Sequence, residues 1–216
     1  GLSTRSIGGL ILAHGDDHGL RLPPKLAPVQ VVIIPASPET NVLEYANKIL
    51  AELLKAGVRT KLDSRDYETF GYKINDWELK GVPIRLEIGK KEFGENTVTA
   101  ARRDTFEKSV SNVDEILQNI SKLLDDIQQN LYKTSQEFLK QNTREATDYD
   151  DFKNIMKTTR GFIKAFWCES ETCERKIKEE TKATTRCLPL NAPGKSGNCI
   201  YCGNNAHHKW LFAQSY

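Results

Sequence analysis

The residues of this chain with the clearest capacity for chemistry are its five cysteines, which all lie in one stretch near the C-terminal end. Four of them form two close pairs, Cys168-x4-Cys173 and Cys199-x2-Cys202, separated by 25 residues. Two pairs of thiolates, each able to chelate from one turn, are what a tetrahedral Zn²⁺ requires. The spacing therefore predicts a structural zinc site, since four thiolates leave no open coordination position for catalysis.

Two other interpretations of the paired cysteines stay open: a site that has lost its metal, and disulfides or a redox centre. We expect a reducing cytoplasm, where clustered thiols favour metal binding. Cys187 stands alone in the sequence, and we interpret it as a small, buried apolar residue. His14-Gly-Asp-Asp-His18 contains metal-ligand residue types, but Gly15 and two aspartates favour a polar turn that ends a helix.

The opening segment, GLSTRSIGG, has the residue types of an anion site. A short loop that ends in Arg5 precedes a helix predicted from Ser6 to about His14. Helix N-terminal amides and a guanidinium group can together bind phosphate oxygens. From physical reasoning alone, an exposed capping loop explains the same residues.

The charge balance limits how the chain can bind nucleic acid. Its 216 residues carry 31 basic and 29 acidic side chains, a net charge of +2. This excludes a polycation that binds nucleic acid by bulk charge, so any such site must be a local patch. No run approaches the roughly 20 apolar residues of a membrane span. The chain starts without Met and on a loop, so we expect the C-terminal piece of a longer protein.

The hydrophobic pattern predicts an α/β fold with two domains after an opening segment. Strand–helix–strand order predicts a mixed, mostly parallel sheet flanked by helices, and the rest predicts a small α+β zinc-binding domain. The predicted domains are 1–28 (the end of an upstream domain and a linker), 29–138 and 139–216. The predicted strands are 29–35, 58–63, 82–89, 96–103 and 161–167; the predicted helices are 41–57, one within 64–81, about 111–133 and 150–158.

The stretch GLSTRSIGGLILAHGDDHGLRLPPKLAPVQVVIIP resembles the third signature motif of class II aminoacyl-tRNA synthetases and its exit into an anticodon-binding domain. More narrowly, the chain resembles the prolyl-tRNA synthetase family of the archaeal/eukaryotic-like type. The resemblance covers essentially the whole chain and continues through GYKINDWELKGVPIRLEIG, TAARRDT, TKATTRCLPL and LFAQSY.

The resemblance implies roles for particular residues. Arg5 matches the third-motif arginine that contacts the γ-phosphate of ATP, and Ser3 and Thr4 fall beside the nucleotide. The four paired cysteines match the zinc ligands of the family, and Tyr216 matches its terminal tyrosine. Motifs 1 and 2 and the proline pocket are absent, so we expect this chain alone to be inactive, and we assign it no catalytic residue.

For the full-length protein, the resemblance implies an ATP-dependent ligase that attaches L-proline to tRNA(Pro) through prolyl-adenylate. ATP is its implied substrate and Mg²⁺ its implied cofactor. We expect the full-length protein to be a homodimer in the cytoplasm and not to associate with membranes. One alternative is a non-catalytic RNA-binding module with a zinc-stabilised C-terminal domain. A zinc-stabilised protein-interaction domain is another. The third-motif loop favours the ligase, since a standalone module has no use for it.

Unpaired anticodon bases are read by stacking on aromatic rings and by hydrogen bonds to base edges. Glu78 can accept from the N1–H and N2–H groups of guanine, which suits a proline anticodon with two guanines. Each candidate also has an ordinary explanation as a surface charge or a core aromatic, and Trp77 is better explained as core. The predicted tRNA-binding residues are Arg65, Lys73, Glu78, Lys80 and Arg102, with Tyr72, Trp77 and Arg103 as further candidates.

Overall fold

The computed structural model describes residues 3–190, 192, 194 and 196–214. The chain forms two compact units, which divide between Ser135 and Gln136. Within the described residues, no helix combines the length and the apolar character needed to cross a membrane. The domain limits 1–28, 29–138 and 139–216 stay predictions.

The first unit opens with a helix and a small antiparallel hairpin, followed by an alternation of strands and helices. The hairpin occupies the position of the predicted polar turn at 14–18. The elements are α1 (Arg5–His14), β1 (Gly15–Asp16), β2 (Gly19–Leu20), β3 (Val31–Pro35), α2 (Thr40–Lys55), β4 (Thr60–Leu62), α3 (Phe70–Leu79), β5 (Ile84–Ile88), α4 (Lys90–Glu95), β6 (Thr97–Arg102), β7 (Lys108–Asn112) and α5 (Ile116–Gln141), whose last turns reach into the second unit.

The main sheet has the order β4-β3-β5-β6-β7. Strand β3 pairs in parallel with β4 and β5, whereas β5–β6 and β6–β7 are antiparallel. The predicted mixed α/β architecture is confirmed, but only half of the pairings are parallel. The link from β5 to β6 holds only the short α4, and a parallel crossover needs about a dozen residues or more. The sequence interpretation also missed β7.

Strand β3 is buried on both of its faces. One face packs with α2 and α5 in the larger apolar cluster. On the other face, Val32 and Ile34 pack against Trp77 of α3. Arg85 and Glu87 of β5 lie on this same face, one strand further along the sheet, because they pair in register with Val32 and Ile34.

The second unit has a four-stranded sheet with the order β10-β13-β9-β8, in which only β8–β9 is parallel. Its core contains Phe152, Met156, Ile163, Ile177 and Phe212. The predicted α+β class is confirmed, although α7, β10 and β13 were not foreseen. The elements are β8 (Thr143–Glu145), α6 (Tyr149–Lys157), β9 (Phe162–Trp167), α7 (Glu171–Thr181), β10 (Ala183–Cys187), β11 (Gly197–Asn198), β12 (Asn205–Ala206) and β13 (His208–Gln214).

Candidate metal centre and nucleic-acid interface

The second unit brings the four paired cysteines into one cluster. Cys168 directly follows β9, Cys173 lies in the first turn of α7, and Cys199 and Cys202 lie between β11 and β12. The four Sγ atoms all lie within 4.8 Å of one another. The Sγ of Cys168 is 3.6 Å from that of Cys173 and 3.7 Å from that of Cys202. Zn–S bonds of about 2.3 Å arranged as a tetrahedron place sulfurs about 3.8 Å apart, so the cluster fits a metal ion.

The turn that carries Cys199 and Cys202 is held by backbone hydrogen bonds. The amide of Gly203 donates to the carbonyl of Cys199 at 2.9 Å, and Gly203 has the positive φ of 74° that this tight turn requires. The amide of Ile200 donates to the carbonyl of Phe166 at 2.8 Å. The second cysteine pair is thereby fixed to β9, the strand that leads into the first pair.

The cysteine thiols differ in how readily they ionise. Burial raises the pKa values of Cys168 and Cys173. Burial alone would also raise the pKa of Cys199. Hydrogen bonds from backbone N–H groups, of which that of Cys202 has the largest effect, outweigh burial and lower the pKa of Cys199 to about 7. For all four thiols to be ionised at once, a positive charge must lie among the sulfurs, and a bound metal ion supplies that charge.

Cys187 does not belong to this cluster, and the prediction that it is buried is wrong. It is exposed. The pairing of β10 with β13 shifts register between Thr185 and Cys187, at an edge strand of the sheet. This irregularity carries the end of β10 out of the core.

In the first unit, Arg65 and Lys80 share a carboxylate partner. Arg65 donates two hydrogen bonds to Asp63, at 2.8 and 2.6 Å, and one to Asp76 at 2.8 Å. Lys80 donates to Asp76 at 2.9 Å. Burial alone would raise the pKa of Asp63, but hydrogen bonds from Arg65 and Trp77 hold it well below its usual range. Trp77 is buried, which agrees with its interpretation as core.

Of two further predicted tRNA-binding residues, Lys73 is buried and Arg102 is partly exposed. Lys73 is only 7% exposed and lines a cavity together with Arg65. Arg102 donates to Asp104 at 3.0 and 2.8 Å. Burial opposes ionisation of Asp104, but the hydrogen bonds from Arg102 and Asn130 keep the pKa of this carboxyl lowered. The roles of Lys73 and Arg102 in tRNA binding stay predictions.

Glu78, the fifth predicted residue, belongs to a row of alternating charges that we call the sheet-face array: Glu78, Arg85, Glu87 and Lys108. Arg85 donates from Nη1 to Glu78 at 2.6 Å and from Nε to Glu87 at 2.9 Å. Lys108 donates to Glu87 at 2.8 Å. Sequence analysis missed the last three members, although the alternation in IRLEI marks Arg85 and Glu87 as residues on the opposite face of the strand from Ile84, Leu86 and Ile88.

The opening residues Ser3, Thr4 and Arg5 are exposed. Helix α1 begins at Arg5, one residue earlier than predicted, and has no buried residue. The hydroxyl of Ser6 contacts the carbonyl of Ser3, and the amide of Ile7 donates to Thr4 at 3.1 Å. Tyr216, the residue that matches the terminal tyrosine of the family, lies outside the described residues.

Comparison with known proteins gives matches along the whole chain. Residues 30–123 match the profile of the family described as "Anticodon binding domain", and residues 149–216 match that described as "Prolyl-tRNA synthetase, C-terminal". The full chain is 45% identical to "Proline--tRNA ligase" of Natranaerobius thermophilus, 43% to "Proline--tRNA ligase 2" of Clostridioides difficile and 42% to "Proline--tRNA ligase" of Amoebophilus asiaticus. The chain covers 45% of each, so it spans about half the length of the curated relatives it matches.

Proposed function

Because the chain belongs to the prolyl-tRNA synthetase family, in which it corresponds to the C-terminal portion, we propose that it reads the anticodon of tRNA(Pro) for a proline–tRNA ligase. In the full-length protein, ATP and Mg²⁺ would activate L-proline as prolyl-adenylate before transfer to the tRNA. We also propose that the full-length protein is cytoplasmic and forms a homodimer. The family resemblance supports both proposals.

The observation that carries this proposal is the adjacency of Glu78 and Arg85 in the sheet-face array. A guanine offers N1–H and N2–H donors on one edge and the O6 and N7 acceptors on another. A carboxylate accepts from the donors, and a guanidinium donates to the acceptors in the bidentate manner typical of arginine. Glu78 and Arg85 therefore offer both halves of a guanine complement. Proline anticodons carry two guanines, so the chemistry of the array suits this tRNA.

The ionic contacts of the array also support a preformed site. The Glu78 and Arg85 side chains are 16% and 11% exposed, and each is already held by its partner. Residues that are fixed before binding lose little side-chain entropy when a base arrives. A base that replaces part of the Glu78–Arg85 contact must restore its hydrogen bonds. Adenine restores fewer of them than guanine, because it lacks the O6 acceptor for a bidentate contact with Arg85 and the N1–H donor for Glu78.

We propose that the four-cysteine cluster holds a structural Zn²⁺. The fit rests on the mutual distances of the four sulfurs and on their all-thiolate chemistry. The bound ion would supply folding energy to the second unit. Cys168, Cys173, Cys199 and Cys202 would hold it, and the backbone amides around Cys199 would share the negative charge.

For the full-length ligase, we propose that Arg5 contacts the γ-phosphate of ATP, with Ser3 and Thr4 beside the nucleotide. The support is the family resemblance and the exposed guanidinium at the start of α1. Pyrophosphate leaves as the carboxylate of proline attacks the α-phosphate, and a fixed cation stabilises the charge that accumulates there. Arg5 moves no proton in this step.

The test is binding of this chain to tRNA(Pro) transcripts at a stated salt concentration, with the two anticodon guanines intact or replaced by adenine. Each bidentate base contact contributes about 1–3 kcal/mol of discrimination, so we expect replacement to weaken binding by roughly 5- to 150-fold. Arg85→Gln should remove most of this discrimination. Arg175→Gln, which changes an exposed arginine of the second unit, is the matched control and should retain it.

Equal binding of both transcripts by the unmodified chain would contradict anticodon reading. The chain would then be a general RNA-binding module that recognises the phosphate backbone, the alternative function raised by the sequence.

A further inference from the structure

A second feature of the first unit, separate from the sheet-face array, is a cavity of about 190 Å³ beyond the carboxyl ends of β3 and β4. Residues 35–37 continue from β3 into its lining, and residues 63–64 continue from β4. Strands β3 and β4 are parallel neighbours, and open α/β sheets bind ligands outside the carboxyl ends of their strands.

Lys73 is the residue that most needs a partner in this cavity. Its side chain lies in the interior, and its ammonium group has three N–H donors. The hydrogen-bond acceptor found for it among the described residues is the carbonyl oxygen of Asp63, at 3.5 Å, the outer limit of such a bond. A buried cation with unused donors is costly, so the cavity favours a ligand with an acceptor oxygen.

The rest of the lining selects the kind of ligand. Its apolar walls are formed by Pro35, Pro38, Leu43 and Phe70, which suit a flat ring. Two carboxylates, Asp66 and Glu68, lie where the lining is more exposed. They would accept hydrogen bonds from N–H groups. The guanidinium of Arg65, which also lines the cavity, already donates to Asp63 and Asp76, so Asp66 and Glu68 disfavour a phosphate group at the opening. The cavity is also smaller than the roughly 300 Å³ of the smallest usual drug-sized pockets.

We propose that this cavity binds one unpaired nucleobase that carries both a carbonyl oxygen and an exocyclic amino group, as guanine and cytosine do. Lys73 donates to the carbonyl oxygen, and Asp66 or Glu68 accepts from the amino group. The ribose and phosphate stay outside the cavity. The inference rests on the proposed function, because it takes the bound tRNA as the source of the base.

The experiment is a titration of isotope-labelled chain with free nucleoside monophosphates, followed by amide chemical shifts. GMP or CMP should shift the amides of Ala36 and Ser64 in a saturable manner. AMP, which has no carbonyl oxygen on its base, should shift them at least several-fold less at equal concentration. Lys73→Met should abolish the shifts, whereas Arg175→Gln, which changes an exposed arginine of the second unit, should leave them intact.

Ser64→Trp provides a second variant in case Lys73→Met does not fold. Ser64 is exposed and lines the cavity, so a bulky side chain there should block entry without disturbing Lys73. Equal shifts with AMP, no shifts with GMP and CMP, or shifts that survive Ser64→Trp would overturn the proposal. Free nucleotides test the cavity without tRNA, so its failure is distinguishable from failure of the anticodon test.

Discussion

Cys199 is the cysteine best placed to hold charge within the four-thiol cluster. It is 3% exposed, and the backbone N–H groups of Cys202, Cys168 and Tyr201 all stabilise its thiolate. An oxygen at this position would be a poorer zinc ligand than sulfur, because soft thiolates bind this metal preferentially. In the proposed zinc site, Cys199 is therefore the ligand whose loss should cost the second unit most.

We predict that Cys199→Ser lowers the zinc content from one ion per chain to a small fraction and unfolds the second unit at ordinary temperatures. Structural zinc sites contribute on the order of 10 kcal/mol of apparent binding energy, more than a small domain can lose. Metal analysis and thermal melting measure the two effects. Cys187→Ser, at an exposed cysteine outside the cluster, is the control and should change neither. Full zinc content and an unchanged melting curve in Cys199→Ser would remove the metal assignment.

At the scale of elements, the hairpin β1–β2 is held against the end of α3. The Arg103 side chain is 2% exposed and donates to both carboxylate oxygens of Asp16, at 2.9 and 2.6 Å, and to the carbonyl of Glu78 at 3.1 Å. Gly19 has a φ of 124°, and a side chain there would approach the Cα of Leu79 to 2.5 Å. The hairpin is therefore a fixed part of the first unit, and α1 directly precedes its first strand.

We predict that Asp16→Asn destabilises the first unit by roughly 1.5–3 kcal/mol, because it weakens the charge-assisted hydrogen bonds to the buried guanidinium of Arg103. Amide hydrogen exchange of the buried strand β3 measures this without interference from the second unit. Asp17→Asn changes the neighbouring, exposed aspartate and should stay within about 0.5 kcal/mol of the unmodified chain. Equal exchange rates in the two variants would show that the Arg103 contact contributes little.

The same contact predicts a pH dependence. The hydrogen bond from Arg103 lowers the pKa of Asp16 to about 2, against an ordinary value of 3.8. A carboxyl whose pKa is lowered by folding stabilises the native state above its unfolded pKa and loses this effect as the pH falls towards its folded pKa. The stability difference between the unmodified chain and Asp16→Asn should therefore be full above about pH 5 and shrink between pH 4 and pH 2. A difference that is constant down to pH 2 would contradict this assignment.

At the scale of the whole molecule, the two units have separate apolar cores. The clusters of the first unit are built on β3, and that of the second is built on α6, β9 and β13. The cysteine cluster belongs to the second unit alone, whereas the sheet-face array and the cavity belong to the first. The proposed metal site and the proposed RNA-reading residues therefore lie in different units.

We predict that a strong chelator unfolds the second unit and leaves the first folded. Amide resonances of β9 and β13 should collapse to the narrow range of an unfolded chain, while those of β3 and β5 keep their dispersion. The discrimination between guanine and adenine anticodons should persist in the chelated chain. Simultaneous loss of both sets of resonances would show that the two units fold as one. No change in either set would show that metal does not stabilise the second unit.

Several features could be predicted from sequence because they are local. The helices and strands within residues 29–133 are recognised by the spacing of apolar side chains within each element. The cysteines of each pair lie only a few residues apart, so each pair is also a local signal. The elements missed from sequence have weaker local signals. Strand β7 (KSVSN) is polar and mostly exposed, and α7 (ETCERKIKEET) has few apolar residues, so packing against the sheet decides their structure.

The sequence by itself determined the α/β class, the family resemblance and the four thiols that meet, because these depend on periodicity and on motifs within short stretches. The tertiary structure decided which distant groups meet. Glu78 contacts Arg85 of the neighbouring strand, Arg65 contacts Asp76 of α3, and Lys73 is buried in a cavity. These contacts depend on which elements pack together, whereas the Lys80–Asp76 and Arg102–Asp104 pairs join residues only four and two positions apart.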